Sequence, residues 1–255
     1  MSTIRKVTVS LALAGALSAA SITPALAATG TAGRPSTSAS TSSPAALHPN
    51  VDPGTVVGVI QKIYGIYKSF AGGGSSAQLA TQQIIDAINS AKVQIMDQID
   101  AVATSDVQAC VKSAIVDFND FDRLSFDNQQ ALALSATNCA TRADTLLSAV
   151  SSQASKDQLG FAVNTVGPIA LMARVRVGLT DAGLTPVLHD ANQVVYNQLI
   201  PSCERTGDPE THFRFWHCDA YNGDSGEGLG LNQVRDSAGA RTSWLVAERV
   251  LPMLA

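Results

Sequence analysis

Cys110, Cys139, Cys203 and Cys218 constrain the fold of this 255-residue chain more than any other feature. Four cysteines allow three pairings, and sequence alone does not normally choose among them. Here the apolar periodicity predicts two helices joined as an antiparallel hairpin at Leu124-Ser125, and Cys110 and Cys139 lie equally far from that turn. The pairing expected is Cys110 with Cys139, which leaves Cys203 with Cys218. On the chain-entropy model, loops of these lengths stabilise by about 3–4 kcal/mol each, a large share of a typical total of roughly 5–15 kcal/mol. No Cys-x-x-Cys pair occurs, so structural bridges are expected rather than a thiol active site or a zinc site.

The amino terminus agrees with an oxidising destination. Arg5 and Lys6 precede an apolar run over residues 7–20, and Ala25-Leu26-Ala27 is an A-x-A site. Residues 1–27 therefore read as a secretory signal peptide, and the expected localisation is secreted, where disulfides persist. Residues 28–50 are Thr, Ser, Ala, Gly and Pro with almost no large apolar side chain. Such a stretch cannot bury enough surface to offset its ordering entropy and reads as a disordered leader, a solvated linker that could carry sugar or tether the protein to a cell wall. Residues 51–255 are expected to form one helical domain.

Composition narrows the partners. The chain carries a formal charge of −4 with no Lys/Arg run, so it has no electrostatic footprint for nucleic acid. Beyond the signal no eighteen-residue apolar run occurs; the nearest, residues 168–179, is interrupted by Arg174 and Arg176. Hydrophobic residues make up 45% but aromatics only 5%, so the core must be built mainly of Ala, Val, Leu and Ile, which suits close-packed helices.

The expected fold is all-α: a bundle of five to seven helices with a bridged hairpin and a disulfide-stapled loop near the C-terminus. The first helix, residues 55–70, is apolar nearly all round, with Val56, Val57, Val59, Ile60, Ile63, Tyr64, Ile66, Tyr67 and Phe70, and Gly72-Gly73-Gly74-Ser75-Ser76 follows as a joint. Ile84, Ile88, Ala91, Ile95, Ile99 and Val102 recur at helical spacing and predict one long helix over 77–103. Ser105 with Gln108, and Asp127 with Gln130, read as capping boxes opening helices over 106–122 and 128–150. A helix over 155–181 should kink at Pro168, and another over 187–200 should stop at Pro201. Residues 202–230 read as a stapled loop with a short strand at 213–215. A last helix is expected over 240–254.

Three stretches tempt a functional reading. Gly223-Asp224-Ser225-Gly226 resembles the segment around the nucleophile of chymotrypsin-like proteases, and its first letters resemble the block of Gly-Asp-Ser hydrolases. The resemblance covers four residues; Glu227 stands where the protease family has glycine, and no histidine follows Ser225. His212, Trp216, His217, Asp219, Asp224 and Glu227 form a candidate binding loop, since loops on a rigid scaffold often carry function. Imidazole with carboxylates can also bind a metal, yet the five-residue step from His212 to His217 suits neither strand nor helix, so no metal site and no cofactor is expected. Finally, Val59, Ile60, Ile63, Tyr64, Ile66, Tyr67 and Phe70 on a glycine hinge form a candidate membrane-active segment, a plan similar to that of α-helical pore-forming toxins; the alternative is a buried core helix, in which Gly58 and Gly65, seven apart, permit close packing inside the bundle. The expectation is a secreted, non-enzymatic protein that binds a protein or cell-surface partner. The alternatives are a membrane-active protein using residues 55–70 and a secreted hydrolase with its site in 203–230.

Overall fold

The computed structural model describes residues 53–207 and 214–255. The signal and leader readings, His212 and the first residue of the expected strand, Phe213, lie outside the described residues. The described chain is largely helical: α1 (Pro53–Ala71), α2 (Ala77–Ser90), α3 (Lys92–Asp100), α4 (Ser105–Asn119), α5 (Phe126–Ala149), α6 (Gln153–Arg176), α7 (Leu184–Leu199), α8 (Leu231–Ala238) and α9 (Ser243–Leu254). The all-α expectation needs correction, because β1 (Ser202–Gly207), β2 (Arg214–Asp219) and β3 (Ser225–Gly228) form a three-stranded antiparallel sheet in that order. Five to seven helices were expected; nine form among the described residues.

The organising element is α6. From Leu159 to Ala173 every residue is buried, because α1, α2, α3, α4, α5, α7 and α9 all pack around it. Two glycines admit the neighbours. A Cβ on Gly160 would stand 2.4 Å from Ser243 Oγ and 3.0 Å from Val195 Cγ2, and one on Gly167 would stand 2.6 Å from the Tyr64 hydroxyl and 2.8 Å from Leu188 Cδ2. Pro168 does not interrupt the helix; packing on every side holds a turn that proline weakens by removing one backbone donor. Asn164, one turn earlier, donates to Gly160 O and to Asn192 Oδ1 of α7, a buried polar link between the two helices. Gly167→Ala is expected to lower stability by about 1–2 kcal/mol, the overpacking cost less the helix propensity that alanine returns. Gly58→Ala in α1, where nothing lies within 4 Å of the added carbon, should instead raise it by about 0.5–1 kcal/mol. Urea midpoints of the two variants check the contrast.

The hairpin forms as expected. α4 and α5 run antiparallel through a short 3-10 turn, Phe121–Arg123, and Cys110–Cys139 joins them with a Cα separation of 5.7 Å. Asp106 and Arg142, a turn further from the connection, meet at 3.0 Å and keep the same register. At the base, Arg176 of α6 donates to Thr81 Oγ1 and Asp122 Oδ1 and lies over the Phe121 ring at 5.1 Å, pinning α2 and the turn to α6.

Several boundaries differ from the sequence reading. The long helix over 77–103 is two, broken at Ala91, whose backbone (φ −129°) leaves the helix. Ser90 Oγ donates to Ala87 O just before the break, the local competition by which serine weakens a helix. Neither capping box forms: α4 is preceded by Thr104 with no side-chain cap, and α5 is capped by Ser125, which accepts from Asn128 N. Gln108 instead donates to Asp100, joining α4 to the end of α3. The helix expected over 155–181 ends at Arg176, before Gly178 at φ +76°. The one expected over 187–200 begins earlier, at Leu184, with Pro186 in its first turn, where a missing donor costs nothing. The last helix starts at Ser243, and α8 precedes it where the sequence reading saw none.

The apolar segment in α1 is core. Ile60, Ile63 and Tyr64 are at most 2% exposed, Tyr67 is buried, and Val59, Ile66 and Phe70 pack against the same cluster. Tyr67 donates to Asp181 and Lys68 to Pro252 O, so the helix is tied at both the α6–α7 connection and α9. Gly58 and Gly65, expected to permit close packing, have no neighbour within 4 Å of where a Cβ would lie. Among the described residues no helix is long and apolar enough to cross a membrane.

Candidate functional site

The region expected as a stapled loop is a sheet because its register is pinned. Cys203 and Cys218 are direct cross-strand partners and are bonded to each other. Alternation then sorts the strands by face. Cys203, Cys218, Trp216, Gly226 and Gly228 share the inner face, where Cys218 is buried with Val234 and Ala238 of α8, and Trp216 and Leu231 pack alongside. The glycines set the distance: a Cβ on Gly226 would lie 2.7 Å from Val234 O, and one on Gly228 3.1 Å from Val234 Cγ2.

The outer face carries the acidic residues and the histidine. Glu204, His217 and Glu227 stand side by side across β1, β2 and β3, with Asp219 opposite Ser225 in the next row. His217 Nδ1 meets Glu227 Oε1 at 3.0 Å and Nε2 meets Asp219 Oδ1 at 3.1 Å. Desolvation of the ring is the largest single influence and opposes protonation, but the hydrogen bond to Glu227, the charge of Asp219 and its hydrogen bond, and the charge of Glu227 together outweigh it. The imidazole pKa is therefore held above its ordinary value. Phe215 lies on this face as well, and with Glu227, Gly228 and the exposed Leu229 it lines a hollow of about 260 Å³.

The other candidate residues have structural work. Asp224 sits in the β2–β3 turn, where its backbone O accepts from Ala220 N and its carboxylate from Asn222 and Arg241. Gly223 supplies the positive φ of +85°, which glycine adopts without steric cost. The Gly-Asp-Ser-Gly segment is thus a turn followed by a residue that admits α8. Ser225 stands beside Asp219, and His217 spends both ring nitrogens on carboxylates. Trp216 lies on the face opposite His217 rather than at the centre of a loop. Among the described residues no group of three or more His, Cys, Asp or Glu side chains is placed to hold a metal ion.

Two features escaped the sequence reading. Glu204 belongs to the outer row, but β1 reads Ser-Cys-Glu-Arg-Thr-Gly, with no apolar alternation to mark a strand. The second is the junction of sheet and bundle. Asp157 of α6 is buried; it accepts from Tyr221 Oη of the β2–β3 turn at 2.8 Å and from Ser243 N at the start of α9 at 2.5 Å. Burial raises its pKa, and these hydrogen bonds pull in the opposite direction without cancelling it.

Fold and site together define a doubly disulfide-bridged, largely helical protein that carries a small antiparallel sheet, and the bridges suit an oxidising compartment. The chain matches no protein-family model, no curated protein and no solved structure.

Proposed function

We propose that this is a secreted, non-enzymatic binding protein that engages a cationic protein surface through the outer face of its stapled sheet. The observation that carries the reading is the face itself. Three carboxylates, Glu204, Asp219 and Glu227, stand with one imidazole on strands locked by Cys203–Cys218, and α8 covers the opposite side. A pre-ordered, predominantly acidic face binds with little ordering cost and steers an oppositely charged partner. Secretion is supported by the signal-like segment and by the two disulfides. A hydrolase reading at Ser225 has less support, since His217 is committed to two carboxylates. A membrane-active reading would require α1 to leave the core it helps to build.

The test uses the full chain and a lysine hexapeptide as probe. Binding at low salt is expected to move the amide resonances of β1, β2 and β3. Glu204→Lys with Glu227→Lys should weaken it at least tenfold and leave the helical circular dichroism unchanged. Equal binding by the double variant, or shifts spread over acidic residues of the bundle, would refute the assignment.

A further inference from the structure

We propose that His217 is a proton-operated clasp on the outer face: doubly protonated, it holds Asp219 and Glu227 through one ring nitrogen each, and neutral, it lets one of the two carboxylates go. The chemistry follows from the ring. An imidazolium has two N–H donors and satisfies both carboxylates, at 3.0 and 3.1 Å. A neutral imidazole has one donor and one lone pair, so one carboxylate then faces a lone pair and is repelled.

The groups facing the ring come from all three strands: Glu204 from β1, Asp219 from β2 itself and Glu227 from β3. All are acidic, and α8 packs on the other face. Nothing cationic among these groups competes for the carboxylates, and the raised pKa of the imidazole agrees with this arrangement. The bond to Glu227 crosses from β2 to β3, whereas β1 and β2 are joined covalently. Where Glu227 is the carboxylate released, β3 loses its side-chain tie to β2 and is joined to it by the backbone ladder alone.

The sign is set by the histidine. Its folded pKa lies above the unfolded value, so the clasp contributes fully below about pH 6.5 and is lost as pH rises through the folded value. Above that the outer face carries one more unit of negative charge and a free carboxylate. This consequence rests on the binding reading; the clasp itself does not.

Long-range 1H–15N spectra of the full chain between pH 5 and 8.5 test it, with the His217 ring assigned by its disappearance in His217→Gln. The expected result is a doubly protonated ring that titrates above the ordinary imidazole value, with the side-chain carboxyl carbon of Glu227 or Asp219 shifting at the same pH. Asp219→Asn with Glu227→Gln should return the titration to its ordinary place. Titration at or below that place, or carboxyl carbons that ignore it, would overturn the clasp. In a second arm, the lysine hexapeptide should bind about threefold more tightly at pH 8 than at pH 6, and His217→Gln should abolish the difference. Ring titration without peptide binding at either pH would uphold the clasp and remove the binding reading. Peptide binding without the ring titration would do the reverse.

Discussion

Ile63→Asp in α1 is expected to unfold the protein. Ile63 is 2% exposed in a helix packed against α2, α3, α6 and α9, inside the apolar core cluster. A carboxylate placed there has no partner. Whether it stays charged or takes up a proton, the loss should be at least about 4 kcal/mol, most of the stability of a domain of this kind. Lys62→Asp, on the exposed side of the same helix, should change stability by no more than about 0.5 kcal/mol. Denaturation midpoints separate the two. A folded Ile63→Asp protein that had merely lost affinity for lipid vesicles would show that α1 is a releasable membrane segment and not part of the core.

Asp157→Ala should cost about 3 kcal/mol and Asp157→Asn very little. The alanine leaves the Ser243 N–H and the Tyr221 hydroxyl without their acceptor inside the protein, each worth about 1–3 kcal/mol. The asparagine oxygen still accepts from Ser243, and its amide can donate to the Tyr221 oxygen. The pH dependence supplies a second readout. Burial raises the Asp157 pKa above that of the unfolded chain, so the folded protein binds the proton more tightly. This group's contribution is greatest below the ordinary aspartate range and declines as pH rises through the folded value. Asp157→Asn should remove that decline, which chemical denaturation at a series of pH values would show. Because Tyr221 belongs to the β2–β3 turn, the alanine variant should also loosen the sheet from the bundle.

The helical part was legible where period and burial agree. Val107, Val111, Ile115 and Phe118 mark one buried stripe, and the cysteine pairing followed from the hairpin they imply. The break at Ala91 was not legible, because Ile88 and Ile95 keep their inward phase on both sides of it. The apolar circumference of α1 marks it as a buried helix. α6 is enclosed more completely, but Lys156, Asp157, Asn164 and Thr165 gave it a polar appearance that only their burial in the folded chain corrects. The sheet was hidden for a different reason: its inner face combines cysteine, glycine and one tryptophan with Arg205 and Arg214 rather than alternating aliphatics. Of the candidate binding residues, His217, Asp219 and Glu227 come together, whereas Trp216 and Asp224 face elsewhere.

Carbodiimide labelling of carboxylates decides most directly whether the outer face of the sheet meets a partner. The labelling would be read by mass spectrometry on the purified full chain and on the same protein in its producing culture before purification. Glu204, Asp219 and Glu227 should react in the purified protein and be protected in the culture, while the exposed Asp127 on α5 reacts equally in both. Equal labelling of the three sheet carboxylates in the two settings would contradict the proposed role of this face.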